Sequence, residues 1–389
     1  MFPPMRIPLL AVLLSLPAPL LAGEADAGHA PPGRWPHPRG PASASGRSLA
    51  EPPTSFGGLL WSYSARSPIR ETPLLWDGAL FLLEDREVVV LDAATGRVRA
   101  RAALPPAPTG TPALHEQSIF LIDGGTRLVE FHLRVRQLQQ RWSCDVGGGA
   151  AGVRIHMGEI YVTTAAGLLR LRQGRGKPAW SAAGRYEGEP AVLGDHVYAL
   201  RRPAAGGLQL VIHERRDGKE CGVAELGNEG GAGGVVAVSE GMAAVQVGGK
   251  WALLARNPTP SLRLLRLESL KTPPLLGPAL AIALSDSDAW TLYMDGKRPV
   301  QPVLPSKSRP DLGMSVVAPT GLGEVICFGA WAGDLNANEV LWHLRERSDV
   351  KQFAKGVAFA PVPSGDGRMV AVPEDRRSVH CIGPEEIGS

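Results

Sequence analysis

The chain has 389 residues, with 47 Gly, 35 Pro and only 6% aromatic side chains. That abundance of turn formers suits many short strands and argues against long helices. The formal charge of +3 is small for this length and points to neither a nucleic-acid nor an anionic-membrane partner.

Residues 1–22 read as a secretory signal peptide. Arg6 supplies the positive start, Ile7 to Leu21 is mostly apolar, and Ala22 or Ala25-Asp26-Ala27 offers small residues for cleavage. Pro17 and Pro19 interrupt a stretch that is short for a membrane span, which needs about 20 apolar residues. No transmembrane segment is therefore expected after cleavage, and the location implied is periplasmic or extracellular. No Cys stands near the cleavage region to carry a lipid. Residues 23–56 form a Pro/Gly/Ser-rich leader, expected to be poorly ordered from Gly23 to Pro53. Residues 57–389 form the folded part.

The first unit is the clearest. Asp77-Gly78 is a hairpin turn, because Gly takes positive φ without steric cost. Ala79 to Leu83 and Val88 to Leu91 are apolar runs of strand length. Asp92 can bond its own backbone two residues on, and Gly96 supplies a second positive-φ position. The same order returns at Thr111–Ile122, His156–Leu171, Glu189–Gly218 and Val235–Leu254. Weaker copies lie at Leu280–Leu292, Val316–Trp342 and Phe359–Ile382. Starts about 40 residues apart match four-stranded propeller blades. The expected fold is all-β: an eight-bladed β-propeller with four antiparallel strands per blade. Seven blades is the alternative, because Ser261 to Ser306 is irregular. Closure is expected through a strand near Trp61 pairing with Val379 to Ile382.

The repeats resemble those of bacterial PQQ-like (quinoprotein-like) β-propeller proteins, whose unit is roughly Ala/Leu-x-Asp-x-x-Thr-Gly-x-x-x-Trp. Leu91, Asp92, Thr95 and Gly96 match, with Ala100 in place of Trp. Gly176 and Trp180 restore the spacing. Trp142 ends the second unit with Leu138 in place of Gly, and Asp217-Gly218 keeps the turn with Gly222 in place of Trp. Arg34-Trp35-Pro36-His37-Pro38-Arg39-Gly40-Pro41 resembles a Trp-Pro-x-x-Arg-Gly-Pro segment that precedes the propeller in many exported relatives. Leu59-Leu60-Trp61-Ser62 then resembles the opening strand.

Catalytic motifs are few. Gly147-Gly148-Gly149-Ala150-Ala151-Gly152 matches Gly-x-Gly-x-x-Gly, but the strand-like Val153-Arg154-Ile155-His156 follows where a nucleotide site needs a helix. Asp334-Leu335-Asn336-Ala337-Asn338 starts like a calcium loop, yet Glu339 and Arg345 stand where Gly and an acid are required. No zinc spacing and no Gly-x-Ser-x-Gly elbow occur. Cys144, Cys221, Cys327 and Cys381 are widely spaced; buried thiols are favoured, with disulfides left open. Val129 to Arg136 alternates strictly, and reads as a solvated outer strand rather than a basic binding face aided by Arg141.

No catalytic, cofactor-binding or metal-binding residue is therefore assigned, and no cofactor is expected. The expected function is an exported, non-catalytic binding or assembly scaffold, monomeric, presenting its loop face or central channel to a protein, glycan or small ligand. The alternative implied by the resemblance is a quinoprotein dehydrogenase that oxidises an alcohol or sugar with PQQ and calcium. Many such enzymes carry an adjacent Cys-Cys pair, and this chain has none.

Overall fold

The computed structural model describes residues 30–256 apart from short gaps at 39, 45–46, 51–56, 105–107, 175–176, 228–235, 239–241 and 248–249, the backbone of strands between 262 and 343, and most of 357–384. The expected signal peptide lies outside these residues. The described fold is all-β, built of antiparallel sheets of four consecutive strands. The first holds Leu74–Trp76, Ala79–Glu84, Glu87–Asp92 and Val98–Ala103. The second runs from Pro108–His115 to Gln137–Asp145, the third from Val153–His156 to Pro178–Ala183, and the fourth from Tyr186–Leu193 to Glu220–Gly227. The fifth runs from Val236–Val238 to Leu262–Ser269. Two hairpins between Ile282 and Pro299 precede a sheet from Thr320–Leu322 to Glu339–His343. The last sheet starts at Val362–Gly365. The arrangement is consistent with a β-propeller.

The outermost strand of the last sheet comes from the other end of the chain. Gly58–Ser64 pairs antiparallel with Ser378–Gly383, setting Trp61 opposite Cys381. This is the pairing the sequence led us to expect, and it makes the first and last sheets neighbours. The seam between them is polar as well as apolar. Tyr63 donates to Glu84 at 2.5 Å and accepts from Arg101 at 2.6 Å. Burial, then the bond to Glu84, pushes the Tyr63 hydroxyl up to about 12.

The turns follow the local chemistry of the sequence. Asp77 and Gly78 both have positive φ, 43° and 78°, the geometry of a two-residue hairpin turn. The Asp92 carboxylate accepts from the amides of Ala94 at 3.1 Å and Thr95 at 3.0 Å, and pairs with Arg99. Burial works against its charge, but the bonds from Arg99 and Thr95 hold its pKa below the ordinary value.

The repeat's Gly and Trp meet between sheets, not within one. Trp61 donates its indole N–H to Ala93 at 2.9 Å, and its ring lies over Gly96, where a Cβ would come within 2.6 Å. Trp180 of the third sheet does the same to the fourth, donating to Arg215 at 2.9 Å over Gly218. Ala100 stands where the first sheet would carry its Trp, and the facing turn of the second sheet, Arg134-Val135-Arg136-Gln137, has no glycine. Of the cysteines, Cys144 and Cys381 are buried free thiols and Cys221 is a half-buried one; the Cys327 side chain lies outside the described residues.

The Gly96→Val variant should lose about 3 kcal/mol in denaturant melts, since it forces a β-branched residue to φ 69° and drives Trp61 out of its seat. Asp92→Ala should lose less, about 1–2 kcal/mol, through its charge-assisted bonds. Equal and negligible losses would show that the turn does not hold the seam.

Candidate functional site

The leader does not behave as its composition suggests. Trp35 is 1% exposed and His37 is fully buried, and Ala30, Ser43, Ala44, Ser48 and Ala50 are buried too. The expectation of poor order is corrected for this stretch, and the reason is tertiary. Among the described residues, the first strands of the first five sheets, and of the sheet starting at Thr320, have an edge that their own sheet leaves open, and this segment bonds to it.

Arg34–Trp35 pairs antiparallel with Leu75 and Trp76 of the first sheet. Pro36 accepts from the Leu114 amide of the second sheet at 2.8 Å. The His37 ring accepts at Nε2 from the Ile155 amide of the third sheet at 2.9 Å. Ala42 accepts from Val192 of the fourth at 2.9 Å, and Ser43 from Val238 of the fifth at 2.8 Å. Arg47–Ser48 then pairs parallel with Thr320–Leu322. Ala30 and Trp35 complete the circuit by packing with Val362, Val370 and Val372 of the last sheet.

The local sequence explains how the segment does this. Pro36, Pro38 and Pro41 have fixed φ and no N–H, so they offer carbonyls without competing donors. Gly40, at φ 79°, reverses the chain, and a Cβ there would come within 2.8 Å of the Trp35 ring. An amide can only donate, so Ile155 fixes the His37 tautomer: Nδ1 carries the hydrogen and donates to Gly40 O at 3.1 Å. Burial, then Arg154, holds His37 well below the ordinary imidazole value, with His156 and His115 acting in the same direction. At the rim, Arg34 pairs with Asp77 at 3.1 Å and lies 4.5 Å from the centre of the Trp76 ring.

Three residues upstream of these contacts, about 10 Å back along the strands, the same inner edges carry a polar layer. Thr111 and Gly152 form a parallel bridge, and a Cβ on Gly152 would collide with Thr111 Oγ1 at 2.2 Å and Glu189 Cγ at 2.8 Å. Arg154, 1% exposed, binds Glu189 at 2.6 Å and Pro190 O at 3.1 Å. Its Nη1 has no partner. Glu71 joins this layer electrostatically: burial, then Glu189, pushes it up to about 7 against Arg376 and Arg70. No group of three or more metal-ligating side chains occurs among the described residues.

No catalytic residue was assigned from sequence, and neither His37 nor Arg154 with Glu189 was singled out. Only the Trp-Pro-x-x-Arg-Gly-Pro spacing marked the segment, with no indication of its role. The glycine run 147–152 is a connection leading into strand Val153–His156, as its sequence suggested. Residues 335–338 of the calcium-like stretch lie outside the described residues.

His37 makes folding sensitive to acid. Its pKa is lower folded than unfolded, so its contribution is complete above about pH 6.5 and is lost as pH falls, by about 1.4 kcal/mol per pH unit. His380, lowered to about 4 by burial, acts with the same sign. Glu71 acts oppositely, losing stability as pH rises from its ordinary range towards 7. Thermal melts should show the wild type losing stability from pH 7 to 5 more steeply than His37→Asn. Parallel curves would exclude His37 as a source of the acid sensitivity.

The family model described as "Outer membrane protein assembly factor BamB" matches residues 46–143 and 86–249, together just over half of the chain. No curated protein matches the sequence. Among solved structures, the quinohemoprotein alcohol dehydrogenase ADHIIG of Pseudomonas putida HK5 is similar with a TM-score of 0.64 at 12% identity, over 92% of this chain and 81% of that one. BamB of Moraxella catarrhalis is similar with a TM-score of 0.55 at 11% identity, over 85% and 98%. The computationally designed Ika8 protein is similar with a TM-score of 0.61 at 12% identity, over 84% and 99%. At such identities the structural likeness carries the fold alone. The family match and the repeat chemistry together make this chain a member of the PQQ-like β-propeller repeat family, PQQ_2.

Proposed function

We propose that this chain is an exported, non-catalytic scaffold that binds or assembles other proteins. In this reading residues 1–22 are a signal peptide, the mature protein is periplasmic or extracellular, and residues 57–389 form an eight-bladed propeller that works as a monomer. The two hairpins between Ile282 and Pro299 stand where the irregular sixth blade is expected. No helix among the described residues is long and apolar enough to cross a membrane.

The observation that carries this reading is the use made of the centre. In this reading the described residues of the segment from Ala30 to Ala50, bonded to the first strands of the first five sheets, cover one end of the centre, which serves as a core there. What remains for recognition is the rigid frame of turns around it. The BamB description of the matching family supports the same reading.

The axial residues also suit a quinone poorly. Pyrroloquinoline quinone is a planar tricarboxylate that works with calcium. Among the described residues the polar layer offers Arg154, already paired with Glu189, and a second carboxylate, Glu71, on which Arg376 and Arg70 act. The guanidinium nearest the layer is therefore engaged by a carboxylate of the chain itself rather than left for a polyanion.

Titration of the purified protein with the quinone and calcium is the test. Neither should bind tightly, and no artificial electron acceptor should be reduced with alcohols or sugars. Stoichiometric quinone binding, or acceptor reduction that depends on quinone and calcium, would replace the scaffold reading with a dehydrogenase.

A further inference from the structure

We propose that the turns between the third and fourth strands of the first four sheets form one docking arc for an acidic protein surface, with Val135 as its apolar contact. The proposal rests on the scaffold reading and gives it a face and a partner chemistry.

The arc follows from topology. Ala30–Ala50 meets each of the first five sheets at the C-terminal end of its first strand, beside the first-to-second turn. Strands alternate in direction, so the third-to-fourth turns lie at that same end. Four successive ones carry exposed arginines: Arg97, then Arg134 and Arg136, then Arg172, then Arg216. None of the five has an ion-pair partner among the described residues.

Other arginines are treated in both ways: Arg86 and Arg377, on turns at the opposite end, are likewise exposed without an ion-pair partner among the described residues, while many others are paired. Arg99, Arg101, Arg127, Arg154, Arg170 and Arg202 are all paired with carboxylates. At the arc's own end the local acids are largely committed. Asp77 is held by Arg34 and Asp195 by Arg215, while Asp217 accepts from the Lys219 amide and keeps its charge beside Arg216. Glu116 is the exposed acid left beside the second sheet's turn.

Val135 is the second, independent observation. It is 86% exposed and sits at φ 57°, between Arg134 and Arg136. A β-branched residue resists the left-handed region, and an exposed apolar side chain gains nothing there by folding. Met157, at φ 50° and 52% exposed, lies at the same end on the third sheet's first-to-second turn, where its sulfur accepts from Arg215 at 3.4 Å. Val98, 46% exposed, follows the first sheet's turn. Cations punctuated by apolar tips match the composition of a protein interface, where Arg is enriched and Lys depleted. The same turns also carry the exposed Lys177 and Lys219, and their apolar members are Val rather than the Trp, Phe or Leu of a membrane-facing surface.

The test uses the full chain and two probes, a synthetic peptide of alternating Glu and Leu and vesicles of phosphatidylglycerol. The peptide should bind at low salt and weaken as salt rises. Joint replacement by Glu at Arg97, Arg134, Arg136, Arg172 and Arg216 should weaken it by about tenfold or more. Arg86→Glu with Arg377→Glu, on turns at the opposite end, should leave it unchanged. Val135→Asn should bind the peptide more weakly while melting no lower than the wild type, since Asn accepts left-handed φ. Failure of the wild type to bind the peptide, indifference to the five reversals, or tighter binding to the vesicles would each overturn the proposal. Stoichiometric quinone binding would instead overturn the scaffold reading, and the peptide titration would still decide the arc.

Discussion

Each sheet here has one edge that its own strands cannot satisfy. The first strand pairs outward with the second, and its inward amides face the centre. A buried amide without a partner costs about 1–3 kcal/mol. The amides of Leu114, Ile155, Val192 and Val238 find theirs on a single segment of about twenty residues. Because that segment bonds through its backbone and one histidine, it ties together sheets that are far apart in the chain. The prolines suit it to this use: they supply acceptors and bring no donors of their own.

The second constraint lies at the seams. A Trp from one sheet seats on a Gly in the turn of the next, as Trp61 does on Gly96 and Trp180 on Gly218. The contact needs both partners, because any Cβ on the Gly would occupy the ring's place. At the seam between the first and second sheets both are missing, and the turn carrying Val135 is released from that duty. Packing there falls to Ala100, Leu104, Phe131, Leu133 and Leu138 instead. A turn freed from holding a neighbour can be shaped for a partner.

Charge is divided in the same way. Inside, arginines and carboxylates are matched, as Arg154 is with Glu189 and Arg101 with Glu87. Such pairs cost desolvation and return specificity in how sheets align. At the turn end beside the N-terminal segment, Arg34–Asp77 and Arg215–Asp195 are paired, while Arg97, Arg134, Arg136, Arg172 and Arg216 are exposed without ion-pair partners among the described residues.

The strands and turns were legible in the sequence because their causes are local. Apolar runs of strand length, Asp77-Gly78 and the Asp92–Gly96 turn depend on residues within a few positions of each other. The repeat period then implied stacked four-stranded sheets, and the pairing of the Trp61 strand with Val379–Ile382 followed from the need to cover an edge. The place of Ala30–Ala50 was decided only by tertiary structure. Read locally, its Pro, Gly and Ser suggest a chain that cannot bury enough apolar surface to order itself. Its order comes from amides contributed by strands up to hundreds of residues away, and nothing within the segment records them. For the same reason His37, a lone histidine in sequence, became the buried link between Gly40 and Ile155. The Gly-x-x-x-Trp spacing was visible too, but that its two ends serve different seams is a property of neighbouring sheets, which a linear repeat cannot express.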